Sequence, residues 1–268
     1  MKPKQSPLGV FDSGVGGLTV VHAIQNLLPQ ESIIYLGDTA RVPYGNKSPE
    51  TVGRFAREVC RFLHGKGVKA IVIACNTASA HALPEIQKEF DVPIFGVIRP
   101  GVESALQSTR NGRIGIIGTV GTIQSRAYQE ALLHLRPDLH ITAKATPLLV
   151  PLIEENWIDH EATRLVLADY LAEFQQAEID TLVLACTHYP LLTGVLDRVL
   201  GGKVRLVDSA TACARNLRDH LEALDQFTDA EAPGRTEIYL TDRPLHFATL
   251  SRRFLRNPTD EMQVVDLG

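Results

Sequence analysis

Only four cysteines occur in 268 residues, at positions 60, 75, 186 and 213. They form no CxxC and no zinc-ligand pair, which sets aside a disulfide framework and a structural zinc site. No apolar run approaches the 18 or so residues that a membrane helix needs, so no membrane partner is expected. Neither sign of charge dominates: 27 Lys and Arg stand against 31 Asp and Glu. That balance offers no basic face for nucleic acid. Met1–Pro7 runs into Leu8 without an apolar h-region, so no secretory signal is expected. Sparse cysteines without an export signal point to reduced thiols in a cytoplasm. With 44% hydrophobic and 22% charged residues, the disordered and fibrous classes fall away.

What is present is an alternation of short apolar runs with helix-length amphipathic segments. Strands are predicted at Leu8–Phe11, Ile33–Leu36, Ala70–Ala74, Ile94–Val97, Arg113–Ile117, Thr181–Ala185, Val204–Val207 and Glu237–Leu240. One helix is announced by Ser48 as N-cap and Pro49 at the first helical position, before Val52, Phe55, Ala56, Val59 and Leu63. Fully apolar strands separated by helices indicate parallel sheets covered on both faces, hence an α/β fold. No Gly/Ser or Pro-rich linker marks a boundary. The pattern breaks at Arg99-Pro100-Gly101, and the polar stretch Asp225–Arg235 precedes one further strand and helix. The expected division is 1–97 plus 208–268 for one lobe and 98–207 for the other.

The chain also resembles itself. Gly9-Val10-Phe11-Asp12-Ser13-Gly14 matches Gly115-Ile116-Ile117-Gly118-Thr119-Val120, and Ala70–Thr77 matches Thr181–His188, at offsets of 106 and 111 residues. Two matches in the same order at similar spacing indicate two similar α/β lobes. Cys75 and Cys186 are then equivalent, each after an apolar strand and before a predicted helix. The carboxyl ends of parallel strands are where ligands bind, and a helix start there favours a thiolate. A cysteine after a strand is also an ordinary small buried hydrophobe. One thiolate with a histidine would suit a hydrolase nucleophile and base. Two opposed thiols suit proton transfer on both faces of one carbon.

The segments Asp12-Ser13-Gly14-Val15-Gly16-Gly17-Leu18, Gly37–Gly45, Ala74-Cys75-Asn76-Thr77-Ala78-Ser79 and Ala185-Cys186-Thr187-His188-Tyr189-Pro190 closely resemble the glutamate racemases. These belong to the cofactor-independent aspartate/glutamate racemases. Gly118–Thr122 with Ser125, and Val150–Glu154, carry the same likeness. The likeness extends from about Leu8 to Asp208 and more loosely beyond. It implies two pseudo-twofold-related lobes with the site in the cleft between them, and interconversion of L- and D-glutamate for peptidoglycan synthesis. It further implies no cofactor, no metal, a cytoplasmic enzyme and a homodimer. Some members carry a longer N-terminal extension tied to activation, a route not expected here.

The resemblance also distributes roles. Cys75 would act on the Cα proton of D-glutamate and Cys186 on that of L-glutamate, with Asp12, His188 and Glu154 assisting. Asp12, Ser13, Tyr44, Gly45, Asn76, Thr77, Thr187 and His188 would bind substrate, and Thr119 and Thr122 are further candidates, with Ser125 beside them. Each has a plainer alternative. Asp12-Ser13-Gly14 also reads as a turn and helix cap, Tyr44-Gly45 as a surface turn, and Thr122 or Ser125 as helix caps. Alone, His188 reads as a helix-start residue and Glu154 as an exposed carboxylate. Gly14, Gly16 and Gly17 match neither GxGxxG nor a P-loop, so nucleotide binding is not expected. Thr146 stands where these relatives commonly carry a cysteine, a departure expected to touch only local packing. Cys60 and Cys213 read as packing residues, Trp157 as a packing or gating residue near Glu154 left outside the site, and Arg99 receives no role. A racemase of aspartate or another amino acid, a Cys-His hydrolase and a non-catalytic amino-acid-binding module remain the alternatives.

Overall fold

The continuous apolar runs become buried parallel strands because burial on both faces requires apolar side chains on both. The computed structural model describes residues 2–244, 247, 251, 255 and 262–267. Its strands are β1 (Leu8–Asp12), β2 (Ile33–Gly37), β3 (Ala70–Ile73), β4 (Ile94–Gly96), β5 (Arg113–Gly118), β6 (His140–Ala145), β7 (Thr181–Ala185), β8 (Arg205–Asp208), β9 (Thr236–Leu240) and β10 (Met262–Val264). They form two parallel sheets, ordered β10-β9-β2-β1-β3-β4 and β6-β5-β7-β8. Among the described residues no helix is long and apolar enough to cross a membrane.

The chain divides into two compact units, Met1–Val97 with Ala210–Gly268, and Ile98–Ser209. The return to the first unit thus begins at Ala210, two residues later than the sequence expectation, once β8 has ended at Asp208. In the first unit β1 is flanked by β2 and β3, with β4 outside β3; in the second β5 is flanked by β6 and β7, with β8 outside β7. The order is the same, so the sequence repeat corresponds to a repeated topology, and Cys75 and Cys186 follow equivalent strands.

Three local expectations need correction. Arg99-Pro100-Gly101 does not break the chain but lies in the first turns of helix Ile98–Ser108, where a proline's missing N–H leaves no intrahelical bond unmade. Cys186 is not followed directly by an α-helix: a 3-10 turn, Tyr189–Leu192, intervenes, with Pro190 in its first positions. Strands β6 and β10 were not predicted. The helix expected after β9 lies outside the described residues.

The first unit's core packs Phe11, Leu36, Val59, Leu63, Ile71 and Ile73 among others, and the second's Ile117, Leu167, Leu171, Phe174, Leu182 and Leu184. Helix Pro49–Gly65 starts as expected: Ser48 accepts from the Thr51 amide and Pro49 follows. The amino-terminal edge of the first sheet carries a buried ion pair. Lys69 Nζ lies 2.7 Å from Glu31 Oε2, with side chains only 1% and 3% exposed. Lys69 also donates to the carbonyls of Lys4 and Gln226, and Glu31 accepts from the Thr228 amide at 2.8 Å. One cation thereby ties the chain's first residues and the segment leading into β9 to the bottom of β3.

Candidate active site

In the first unit the carboxyl ends of β1, β2 and β3 gather the expected side chains. Asp12 closes β1 and is buried, its Oδ2 accepting from the Gly14 amide at 3.0 Å. Gly17 has to be glycine, because a Cβ there would stand 2.3 Å from Asp12 Cβ. Helix Leu18–Leu27 therefore starts directly against the carboxylate. Tyr35, from β2, donates its hydroxyl to the Gly14 carbonyl at 2.5 Å and holds the turn that carries Ser13. Burial, then the charges of Asp12 and Cys75, raise the Tyr35 phenol well above its ordinary value. It stays a donor.

Cys75 is the N-cap of helix Asn76–Glu89, its sulfur accepting from the Ala78 amide at 3.5 Å. The same sulfur lies 3.7 Å from Ser13 Oγ. The backbone N–H groups of a helix start and the positive end of the helix dipole favour negative charge at this position. Asn76 and Thr77 occupy the helix's first positions and are buried. Tyr44 and Gly45 begin a single 3-10 turn and are also buried, so this is no plain surface turn. The Tyr44 hydroxyl donates to buried Asp38. Burial, the Asp38 charge and hydrogen bond, and the Cys75 charge raise the Tyr44 phenol against the opposing Arg41 charge. Asp38 also accepts both Arg41 Nε contacts and the Thr241 hydroxyl. Arg41 in turn reaches Glu58 and lies over the Phe55 ring. Asp38, Arg41 and Tyr35 had no role assigned from sequence; the Gly37–Gly45 motif contains the first two, and Tyr35 lies in the apolar run of β2 just before it.

The second unit surrounds its cysteine differently. Cys186 is buried, with the His188 Nδ1 atom 3.9 Å from its sulfur. His188 Nε2 lies 3.0 Å from Glu154 Oε1, at the end of helix Leu149–Glu154. Burial lowers the His188 pKa, but hydrogen bonds and charges of Cys186 and Glu154 outweigh it and raise it to about 10. The sulfur and the carboxylate on either side of the imidazole thus favour its protonated form. Thr187 and Thr122 are buried as well. Thr119 caps helix Val120–Gln124, accepting from the Thr122 amide and lying 3.0 Å from its hydroxyl, and Ser125 donates back to the Thr122 carbonyl. Thr146 does more than fill space: its hydroxyl lies 2.7 Å from that of Tyr189.

The two thiols thus have different polar partners, a helix start for Cys75 and the His188 imidazole for Cys186. The other two cysteines lack both. Burial, with the Glu89 charge, pushes the Cys60 thiol up to about 12, and burial alone takes Cys213 to about 12. They remain protonated packing residues. Trp157 is exposed and stacks near His160.

The raised pKa of His188 carries a stability signature. A histidine pKa above its unfolded value of about 6.5 stabilises fully below that pH and loses the contribution as pH rises through about 10. Glu154→Gln removes one cause of the elevation. Thermal melts of the two proteins should differ most near pH 6 and converge towards pH 10. NMR should show the His188 ring titrating at lower pH in the variant; an unmoved titration would show that Glu154 does not support the protonated imidazole.

Residues 17–217 match the family model described as Asp/Glu/Hydantoin racemase. A curated glutamate racemase of Geobacter metallireducens is 46% identical over 260 residues, covering 97% of this chain and 96% of that one. Among solved structures, a glutamate racemase isoform of Bacillus anthracis superposes with a TM-score of 0.94 at 39% identity, covering 98% of each chain. The glutamate racemase of Francisella tularensis, solved in complex with D-glutamate, gives 0.92 at 36% identity and the same coverage.

Proposed function

The chain belongs to the Asp/Glu/Hydantoin racemase family and is an amino-acid racemase, and on that premise we propose that it interconverts L- and D-glutamate by a two-thiol proton transfer. One observation carries the mechanism: two topologically equivalent strands each end at a buried thiol, and each thiol has its own means of bearing negative charge. The choice of glutamate rests on near-full-length similarity to glutamate racemases.

The chemistry explains why two thiols are needed. The α-proton of an amino acid is very weakly acidic, and the resemblance implies no pyridoxal ring to take up the electron pair. In the proposed step the Cα–H bond breaks, the proton passes to one thiolate, and the electron pair stays on Cα and its carboxylate. The second thiol gives its proton to the opposite face, breaking S–H and forming Cα–H with inverted configuration. Donors fixed around the substrate carboxylate lower the carbanion's energy without reorganising. Asn76, Thr77, Thr187, Ser13 and the backbone groups of Tyr44 and Gly45 are assigned that task, with Thr119 and Thr122 as further hydroxyls. Asp12 serves the ammonium group and the Cys75 side; His188, held by Glu154, serves Cys186. By similarity Cys75 takes the proton of D-glutamate and Cys186 that of L-glutamate. The product D-glutamate supplies peptidoglycan synthesis in a reducing cytoplasm, and the enzyme acts as a homodimer.

The test is incubation of each enantiomer of glutamate with pure protein in deuterium oxide. Optical activity should fall to zero from both sides, with one deuterium entering Cα per inversion. Aspartate in a parallel tube should change far more slowly. Glutamate binding without either change would leave an amino-acid-binding module instead, and an acyl-enzyme detected by mass spectrometry would favour a hydrolase.

A further inference from the structure

His188 and Tyr189, neighbours in sequence, hold the two ends of one short segment. His188 reaches Glu154 at the end of helix Leu149–Glu154. Tyr189 reaches Thr146, three residues before that helix begins, with its hydroxyl 2.7 Å from Oγ1 and 3.1 Å from the carbonyl oxygen. Thr146 and Tyr189 are both fully buried. Thr146 is anchored in turn to the end of β5, its amide donating to the Gly118 carbonyl at 2.9 Å and its hydroxyl to the same oxygen at 3.3 Å. Its own carbonyl accepts from the Leu149 amide at the helix start. The Tyr189 amide donates to the Cys186 carbonyl at 3.1 Å. Cys186, His188, Glu154, the helix, Thr146 and Tyr189 therefore close a ring.

The first unit has a counterpart at the same register. Asp38 is the first residue beyond β2, as Thr146 is the first beyond β6, and the Asp38 amide donates to the Asp12 carbonyl at 3.0 Å. There too a buried tyrosine hydroxyl, that of Tyr44, is held at this position. Burial raises both phenols, and the nearby thiol charge adds to it, Cys75 at Tyr44 and Cys186 at Tyr189. Neither tyrosine titrates near neutral pH, so each is a fixed hydroxyl rather than an acid or base. Each unit thus holds a buried tyrosine hydroxyl at the same register, on a carboxylate in the first and on a threonine in the second.

We infer that the Thr146–Tyr189 hydroxyl pair is a positioning element for the Cys186 half of the reaction: it sets the helix so that the Glu154 carboxylate stays at His188 Nε2, and thereby aims the imidazole at the Cys186 sulfur. It acts through Glu154 and His188 and touches no substrate. The inference rests on the reading of Cys186 as an acid–base group. A misplacement of the order of 1 Å at such a group is sufficient to slow proton transfer substantially.

The test uses the full chain with Tyr189→Phe, Thr146→Val and Thr146→Ser. Tyr189→Phe and Thr146→Val should each lower kcat by about tenfold, the rate equivalent of about 1.4 kcal/mol, while KM for glutamate stays within about twofold. The alkaline limb of kcat should move to lower pH in both, because His188 loses its carboxylate partner. Thr146→Ser keeps the hydroxyl and should restore kcat. The Tyr189→Phe/Thr146→Val double variant should lose less than the product of the two single losses, since both changes remove the shared 2.7 Å contact between the two hydroxyls. A lowered melting temperature with kcat and pH profile unchanged would overturn the inference and leave a packing role. If Thr146→Val does not fold, Tyr189→Phe and Thr146→Ser decide by the same readings. Cys186→Ala run in parallel separates two failures. Full racemisation by that variant overturns the reading of the site, whereas its inactivity with unchanged Tyr189→Phe overturns the positioning role alone.

Discussion

Alanine at Cys75 or at Cys186 is expected to abolish racemisation in both directions, by three orders of magnitude or more. Each sulfur is a general acid in one direction and a general base in the other, and a positioned acid–base group contributes roughly 10²–10⁴ in rate. Symmetry adds a constraint. Enantiomers have equal free energies, so kcat/KM must be the same from either side in every variant, and no substitution lowers that ratio in one direction alone. The two faces are separated by exchange instead. Cys75→Ala should still exchange the α-proton of L-glutamate slowly with deuterium oxide through Cys186, without forming D-glutamate. Cys186→Ala should show the mirror behaviour with D-glutamate. Both cysteines are buried and small, so the change leaves little more than the volume of one sulfur, and far-ultraviolet circular dichroism should be unaltered. Two-way turnover at the normal rate in either variant would sink the two-base scheme.

The largest expected loss of stability lies far from this chemistry. Lys69→Met leaves the Glu31 carboxylate buried without its cation and deprives two carbonyls of their donor. Breaking one side of a buried ion pair costs about 3–5 kcal/mol. Domains of ordinary stability have only about 5–15 kcal/mol to lose, so urea unfolding should begin at markedly lower concentration. Replacing both partners, as Lys69→Met with Glu31→Leu, should recover much of the loss, because neither charge then has to be desolvated. A single variant as stable as the parent would show that water reaches the carboxylate.

Legibility in the sequence followed the range of the interactions. Strands β1, β3, β5 and β7 are built on the buried apolar stretches Leu8–Phe11, Ala70–Ile73, Ile114–Gly118 and Leu182–Ala185, covered on both faces, and such runs announce themselves. Strand β6, His140-Ile141-Thr142-Ala143-Lys144-Ala145, lies at a sheet edge with every residue at least partly exposed, so its polar positions disguised it. Strand β10 is three residues long and also at an edge. Pro100 misled because a proline that ends one helix is also tolerated in the first turn of another. At the candidate site, residues placed by local motif were legible: Asp12, Ser13, Cys75, Asn76, Thr77, Cys186, Thr187 and His188. The groups that hold them were not. Tyr35 acts across 21 positions on Gly14 and Tyr189 across 43 on Thr146. Nothing in a local window couples such pairs, and only the folded sheets bring them together.

The threading of the first unit bears on the order in which the protein is made. Strand β9 lies beside β2, joining Ile34 to Glu237 and Leu36 to Tyr239, so the first sheet pairs chain segments separated by the entire second unit. A ribosome releases the strands of the second unit, Arg113 to Asp208, in one uninterrupted stretch. That unit has every strand of its sheet in hand before β9 exists. The first unit begins emerging earlier yet finishes later, holding β2 with an open flank until residues 236–240 arrive. Non-local pairing of this kind slows folding, since a long loop must close before its contacts repay the entropy. Nascent chains halted short of β9 should therefore expose the β2 edge, which makes that edge the natural point of protection by chaperones during synthesis.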